Sequence, residues 1–191
     1  MNATNLGIGV KKISQRFHLF CQSLRLMFSM EKPGPIKSSK KPDFKEALLK
    51  AASYCAYQER CHKEVRAKLH SWGIFGQELD AILAELIKRN YLDEERFARS
   101  FAGGKFRTCD WGKMKIRREL QAREISDYGI EAGMKEINDA EYLQRLRALA
   151  NKKFKSFKNV DLRQKRQLTM RFLYSKGFET ELIRDIVTEL S

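Results

Sequence analysis

The stretch Asn90–Leu120, NYLDEERFARSFAGGKFRTCDWGKMKIRREL, decides how this chain folds. Tyr91 and Leu92 are followed by Asp93, Glu94 and Glu95, an acidic run that suits a helix start. Asp accepts hydrogen bonds from the free backbone N–H groups there, and the helix dipole favours negative charge. Phe97 and Phe101 then share one helical face. After a break over Thr108 to Gly112, a second helix turns Ile116 and Leu120 inward and carries Lys113, Lys115, Arg117 and Arg118 elsewhere. One helix begins acidic and the next is strongly basic.

Working outward, the same pattern recurs. Val65, Leu69, Ile74, Leu79, Ile82, Leu83 and Leu86 stand 51 residues before Ile116, Leu120, Ile125, Ile130, Gly133, Met134 and Ile137. Leu173, Phe178, Ile183, Ile186, Val187 and Leu190 follow their counterparts in the second set by 53 residues. A period of this length marks a repeat architecture. The spacing predicts three tandem units of three helices each: residues 44–92, 93–137 and 138–191, after a basic extension and linker over residues 1–43. First helices are expected from about Phe44, Asp93 and Asn138, second helices from about Cys61, Gly112 and Leu162, and third helices from about Gln77, Ser126 and Glu179. Asn138 with Glu141 three residues on forms a capping-box-like start. Gly73 and Gly177 fall just after second helices, where a left-handed cap is expected, and Glu124 holds that place in the middle unit. Units this small bury little surface alone, so an all-α fold of stacked repeats is expected, forming an elongated, curved rod. Such a shape offers a long face rather than a catalytic cleft.

Composition agrees. The chain has 191 residues, 42% of them hydrophobic, with three prolines and few β-branched runs, so helix is expected and no sheet. A net charge of +14 favours a polyanionic or acidic partner. Cys21, Cys55, Cys61 and Cys109 lack CxxC spacing and fit a reducing, cytoplasmic setting. Cys55 and Cys61 with His62 and His70 make a poor metal set, because cysteines six apart do not face one point on a straight helix. No phosphate loop, HExxH or GxSxG motif occurs, so no enzyme activity, cofactor or metal is expected. The apolar segment Phe17–Met30 is interrupted by Arg25, too short to span a bilayer and not followed by a small-residue cleavage site. Either translation starts at Met30 or the segment is an amphipathic surface helix; no membrane partner is expected.

The charge is ordered by helix. Second helices carry Lys63, Arg66 and Lys68, then Lys113, Lys115, Arg117 and Arg118, then Arg163, Lys165, Arg166 and Arg171, whereas third helices lean acidic. Stacking in register would align these eleven cations as a stripe for a partner, with acidic third helices on another side. Solvated helix faces are the ordinary role of any single Lys or Arg; the threefold recurrence favours the stripe. Lys152, Lys153, Lys155 and Lys158 surround Phe154 and Phe157, which are expected in the core rather than stacked on bases. Trp111 is expected to staple its helix entry onto Phe101 or Phe106, and Trp72 to cover a helix end.

The motif Tyr91-Leu92-Asp93-Glu94-Glu95-Arg96-Phe97-Ala98, then Trp111-Gly112 and Ile116-Arg117-Arg118-Glu119-Leu120, resembles the signature of the RecX family of bacterial recombination regulators. The resemblance covers about Phe44 to Leu190. It implies a monomeric, non-enzymatic modulator that binds the RecA recombinase on its nucleoprotein filament and suppresses ATP hydrolysis and strand exchange, acting in recombination, DNA repair and the SOS response. Only Arg117 and Arg118 of the candidate cations lie inside the matched motif. The alternative is a helical-repeat protein that binds single- or double-stranded DNA without RecA. Gly103-Gly104 and Glu124 depart from the family pattern, and the glycine pair calls into question the straightness of its helix.

Overall fold

A computed structural model describes residues 41–190 of the chain, so the reading of Phe17–Met30 falls outside the described residues. The described residues form helices and turns without a strand. The first unit holds α1 (Phe44–Tyr57), α2 (His62–Ser71) and α3 (Gly76–Lys88). The second holds α4 (Glu94–Cys109), α5 (Lys113–Gln121) and α6 (Asp127–Met134), and the third α7 (Asp139–Ser156), α8 (Leu162–Lys176) and α9 (Thr180–Thr188). The fold is all-α, built from three tandem three-helix repeats.

Each first helix starts on the same device. The side chains of Asp43, Asp93 and Asn138 accept from the N–H groups of Glu46, Arg96 and Glu141 at 2.8, 2.7 and 3.1 Å. The second helices differ: Cys61 and Gly112 supply no side-chain cap to α2 and α5, whereas Asp161 accepts from the Gln164 N–H at 2.9 Å and caps α8. Helix N-termini leave their first N–H groups without an intrahelical partner. At α5 the neighbouring unit supplies the partner. The Gly112 N–H donates to the Lys176 carbonyl at 2.8 Å, and the Met114 N–H to the Gly177 carbonyl at 3.1 Å. The start of α5 therefore sits on the end of α8.

Two glycines permit that approach. A Cβ on Gly112 would overlap the Gly177 backbone, and one on Gly177 would overlap Lys115. Gly177 also caps α8 in the left-handed region, at φ 85°. The equivalent seam joins the first two units: Lys63, near the start of α2, donates through Nζ to the Ala122 carbonyl at the end of α5, at 3.0 Å. The three second helices thus follow one another, the start of α5 on the end of α8 and the start of α2 near the end of α5.

The cores are distributed unevenly. The first unit has its own, built around Val65, Leu69, Ile74, Ile82, Leu86 and Leu92. The second and third share one, in which Phe106, Ile116, Leu120, Tyr142, Leu146, Leu173 and Phe178 are buried together. Cys61, fully buried, belongs to that second core although it precedes α2 of the first unit. Gly103 and Gly104 do not break α4, which runs unbroken for 16 residues. Its packing explains this. Gly133 of α6 lies so close that a Cβ there would come within 2.8 Å of the Ala98 carbonyl oxygen, so α4 is held along its length by tertiary contact rather than by propensity.

Gly177→Ala should lower stability by at least about 2 kcal/mol, from a left-handed backbone and the overlap with Lys115. Gly104→Ala, whose Cβ would meet nothing within 4 Å, should raise it by about 1 kcal/mol. Urea midpoints of the two variants measure both effects.

Candidate partner-binding surface

The eleven cations of the second helices divide by what they touch. Lys63 bonds the Ala122 carbonyl and pairs with Glu124 at 2.9 Å, tying the first unit to the second. Lys113 pairs with Asp139 and stands 4.9 Å over the Tyr142 ring, tying the second to the third. Lys115 lies 4.5 Å from the Trp111 ring centre and reaches the Ser175 carbonyl at 3.5 Å. Arg117 pairs with Glu131 of α6 at 2.7 Å. Arg166 donates to the carbonyls of Thr188 and Leu190, closing the end of α9, and Lys165 lies over the Phe154 ring. Lys68 covers the rings of Tyr54 and Trp72 within its own unit.

Arg66, Arg118, Arg163 and Arg171 remain. All four are exposed and make no side-chain hydrogen bond, ion pair or ring contact among the described residues. At least one lies in each unit, on the helices that follow one another end to end. The other seven are partly committed to partners within their own unit or across a seam, so of the eleven these four are the ones left to meet an anionic surface. The acidic third helices do not stand wholly apart, since the Arg117–Glu131 pair joins α5 to α6 within one unit.

Arg118 also borders a shallow groove of about 430 Å³ at the seam of the second and third units. Gly177 and Phe178 line it with Met114 and Tyr174, which are 54% and 43% exposed, and Glu179 and Glu181 line it too. Met, Tyr and Arg are the residue types that interface cores favour. Behind the groove, the buried Tyr142 hydroxyl donates to Glu179 and accepts from the Lys113 N–H at 3.1 Å. Burial, reinforced by the Glu179 hydrogen bond, pushes its ionisation far above the ordinary range for tyrosine. It stays neutral and fixes the third unit against α5. Sequence reasoning missed Tyr142, Met114 and Tyr174, because nothing local distinguishes a seam residue from an ordinary helix face.

Of the aromatics, Trp111 packs edge-on against Phe101 with centroids 6.3 Å apart, as its sequence position suggests. Phe154 is buried, and Phe157 is half-buried beneath Lys153. At the first seam, burial holds His62 below its usual ionisation range despite Glu94 at 3.9 Å, so that contact is a neutral one at neutral pH. Among the described residues, no group of His, Cys, Asp or Glu is placed to hold a metal ion, and no helix is long and apolar enough to cross a membrane.

Glu124 occupies the cap position that Gly177 fills in the third unit, and it takes the left-handed backbone anyway, at φ 61°. That conformation costs a non-glycine residue roughly 1 kcal/mol or more. Its ion pair to Lys63 is largely exposed and offsets only part of that cost.

Comparison with known proteins agrees with this architecture. The profile described as the second three-helix domain of RecX matches residues 93–134, and that of the third three-helix domain matches residues 139–187. A regulatory protein RecX from Prosthecochloris aestuarii is 31% identical over 148 residues, covering 78% of this chain and 95% of that protein. One from Lactobacillus johnsonii is 28% identical over 144 residues, and this chain spans about half of that relative's length, 53%. The crystal structure of RecX from Lactobacillus salivarius superposes with a TM-score of 0.69 at 26% identity, covering 77% of this chain and 96% of that one.

Glu124→Gly should raise stability by up to about 1 kcal/mol, because relief of the left-handed backbone outweighs the exposed ion pair. Thermal or urea unfolding of the variant gives the sign directly.

Proposed function

Because this chain belongs to the RecX family of regulatory proteins, we propose that it binds the RecA recombinase on its DNA filament and lowers ATP hydrolysis and strand exchange there. One observation carries the proposal: exposed arginines without internal partners, Arg66, Arg118, Arg163 and Arg171, recur along second helices that follow one another end to end. A filament presents a long surface of protein and phosphate, and a repeat protein meets such a surface with many weak contacts rather than one deep pocket. Lys63, Lys113 and Lys115 contribute mainly by holding neighbouring units together, and Arg117, Lys165, Arg166 and Lys68 by bracing their own units. The chain acts as a cytoplasmic monomer without catalytic chemistry of its own.

A second reading is favoured by the same four arginines: direct binding to DNA without RecA. The two separate by salt and by partner. Direct DNA binding falls steeply with salt and does not change when RecA is added, since phosphate contacts release counterions.

Wild-type protein should lower the DNA-dependent ATP hydrolysis of RecA at equimolar ratios or below. Replacing Arg66, Arg118, Arg163 and Arg171 together by Glu should raise the amount needed by about 10-fold or more, with helix content unchanged. Arg89→Glu, at the C-terminal cap of α3 and paired with Glu85, serves as the charge control and should inhibit as wild type does. Full inhibition by the quadruple variant would remove the second helices from the contact surface, and absence of inhibition by wild type at any ratio would remove the RecA reading.

A further inference from the structure

The two seams between units are chemically unlike. The seam of the second and third units is made of backbone hydrogen bonds, Gly112 to Lys176 and Met114 to Gly177, over a shared apolar core. The seam of the first and second units is almost wholly polar. Glu59 pairs with Arg96 at 2.7 Å, Lys63 with Glu124 at 2.9 Å, and Glu64 approaches Arg123 at 3.9 Å. All six side chains are between about a quarter and two thirds exposed, so dissolved salt screens these pairs efficiently.

Three further facts mark this seam as the weaker one. The core of the first unit is closed on itself and takes in Leu92, the last residue before the α4 cap, so opening the seam leaves that core intact. Glu59, whose Oε1 pairs with Arg96 across the seam, leaves its Oε2 buried without a hydrogen-bond partner, a cost that separation relieves. The one side chain of the first unit that enters the other core is Cys61, fully buried.

From this we infer that the first unit, residues 44–92, is a detachable module: raised ionic strength, or a densely charged partner competing for Lys63, Arg96 and Arg123, swings it away from the second and third units, which stay together as one body. The hinge falls between Leu92, which stays in the core of the first unit, and the Asp93 cap of α4; beside it Asn90, with a left-handed backbone at φ 60°, is clasped by Arg96 through both its side-chain and main-chain oxygens. Breaking the Arg96 contacts frees seam and hinge at once.

Cys61 reports the opening. Its thiol is shielded by the seam itself, whereas Cys55 is shielded by the core of the first unit and Cys109, the last residue of α4, is buried away from that seam. Burial also pushes the Cys55 thiol up to about 11 and raises that of Cys61, so both react slowly while closed.

The test is alkylation of the full chain with iodoacetamide at low conversion, read peptide by peptide by mass spectrometry, in about 0.05 M and about 1 M potassium chloride. Cys61 should react at least about 10-fold faster at high salt while Cys55 and Cys109 change less than about twofold. The variant Arg96→Gln/Arg123→Gln should show the fast Cys61 rate already at low salt, with Cys55 and Cys109 still protected. A Cys61 that stays as slow as Cys55 in wild type at both salts would overturn the inference. So would a joint rise of all three cysteines, which is global unfolding, and so would a double variant whose Cys61 remains slow at low salt.

Discussion

The donation of the Gly112 and Met114 N–H groups to the Lys176 and Gly177 carbonyls is the interaction on which the rest of this structure depends. A helix start lacks acceptors and a helix end lacks donors, and each usually needs a capping side chain or water. Here the two deficits cancel across a repeat boundary. That arrangement is available only if no side chain stands between the two backbones, which is why Gly112 and Gly177 face each other. It also explains why α5 carries no side-chain cap while α8, which has no described unit beyond its start, is capped by its own Asp161.

Charge follows from this geometry. Placing the second helices in series puts like-charged lysines and arginines near one another, which repels unless some are neutralised. Lys63 with Glu124, Lys113 with Asp139 and Arg117 with Glu131 do that neutralising. The chain retains positive charge where no acid answers it, at Arg66, Arg118, Arg163 and Arg171. A basic repeat protein thus uses part of its charge to assemble and leaves the remainder exposed.

Much of this was legible in the sequence. The caps Asp43, Asp93 and Asn138 and the apolar spacing at 51 and 53 residues mark the helices and repeats, because those signals act within a few residues. Gly73 and Gly177 adopt the left-handed backbone that their positions suggest, at φ 78° and 85°. What was not legible acts over distance. Lys115 and Ser175 are 60 residues apart, and no local rule divides the cations that brace a seam from those left exposed. Glu124 takes the conformation of a glycine because the repeat geometry requires it and Lys63 holds its carboxylate, an override of local preference by tertiary contact. The missing Ser or Asp cap at Gly112 was the available clue, since an uncapped helix start inside a repeat implies a donor satisfied from elsewhere, here by the Lys176 and Gly177 carbonyls.

The end-to-end docking of second helices is tested most directly by hydrogen exchange at single amides, followed by NMR in native conditions. The amide of Met114, at the second position of its helix, should exchange at least about 100-fold more slowly than that of Arg163, which holds the same position in α8 without an acceptor. A Met114 amide that exchanges as fast as that of Arg163 would contradict the docking, and with it the register of the second and third units.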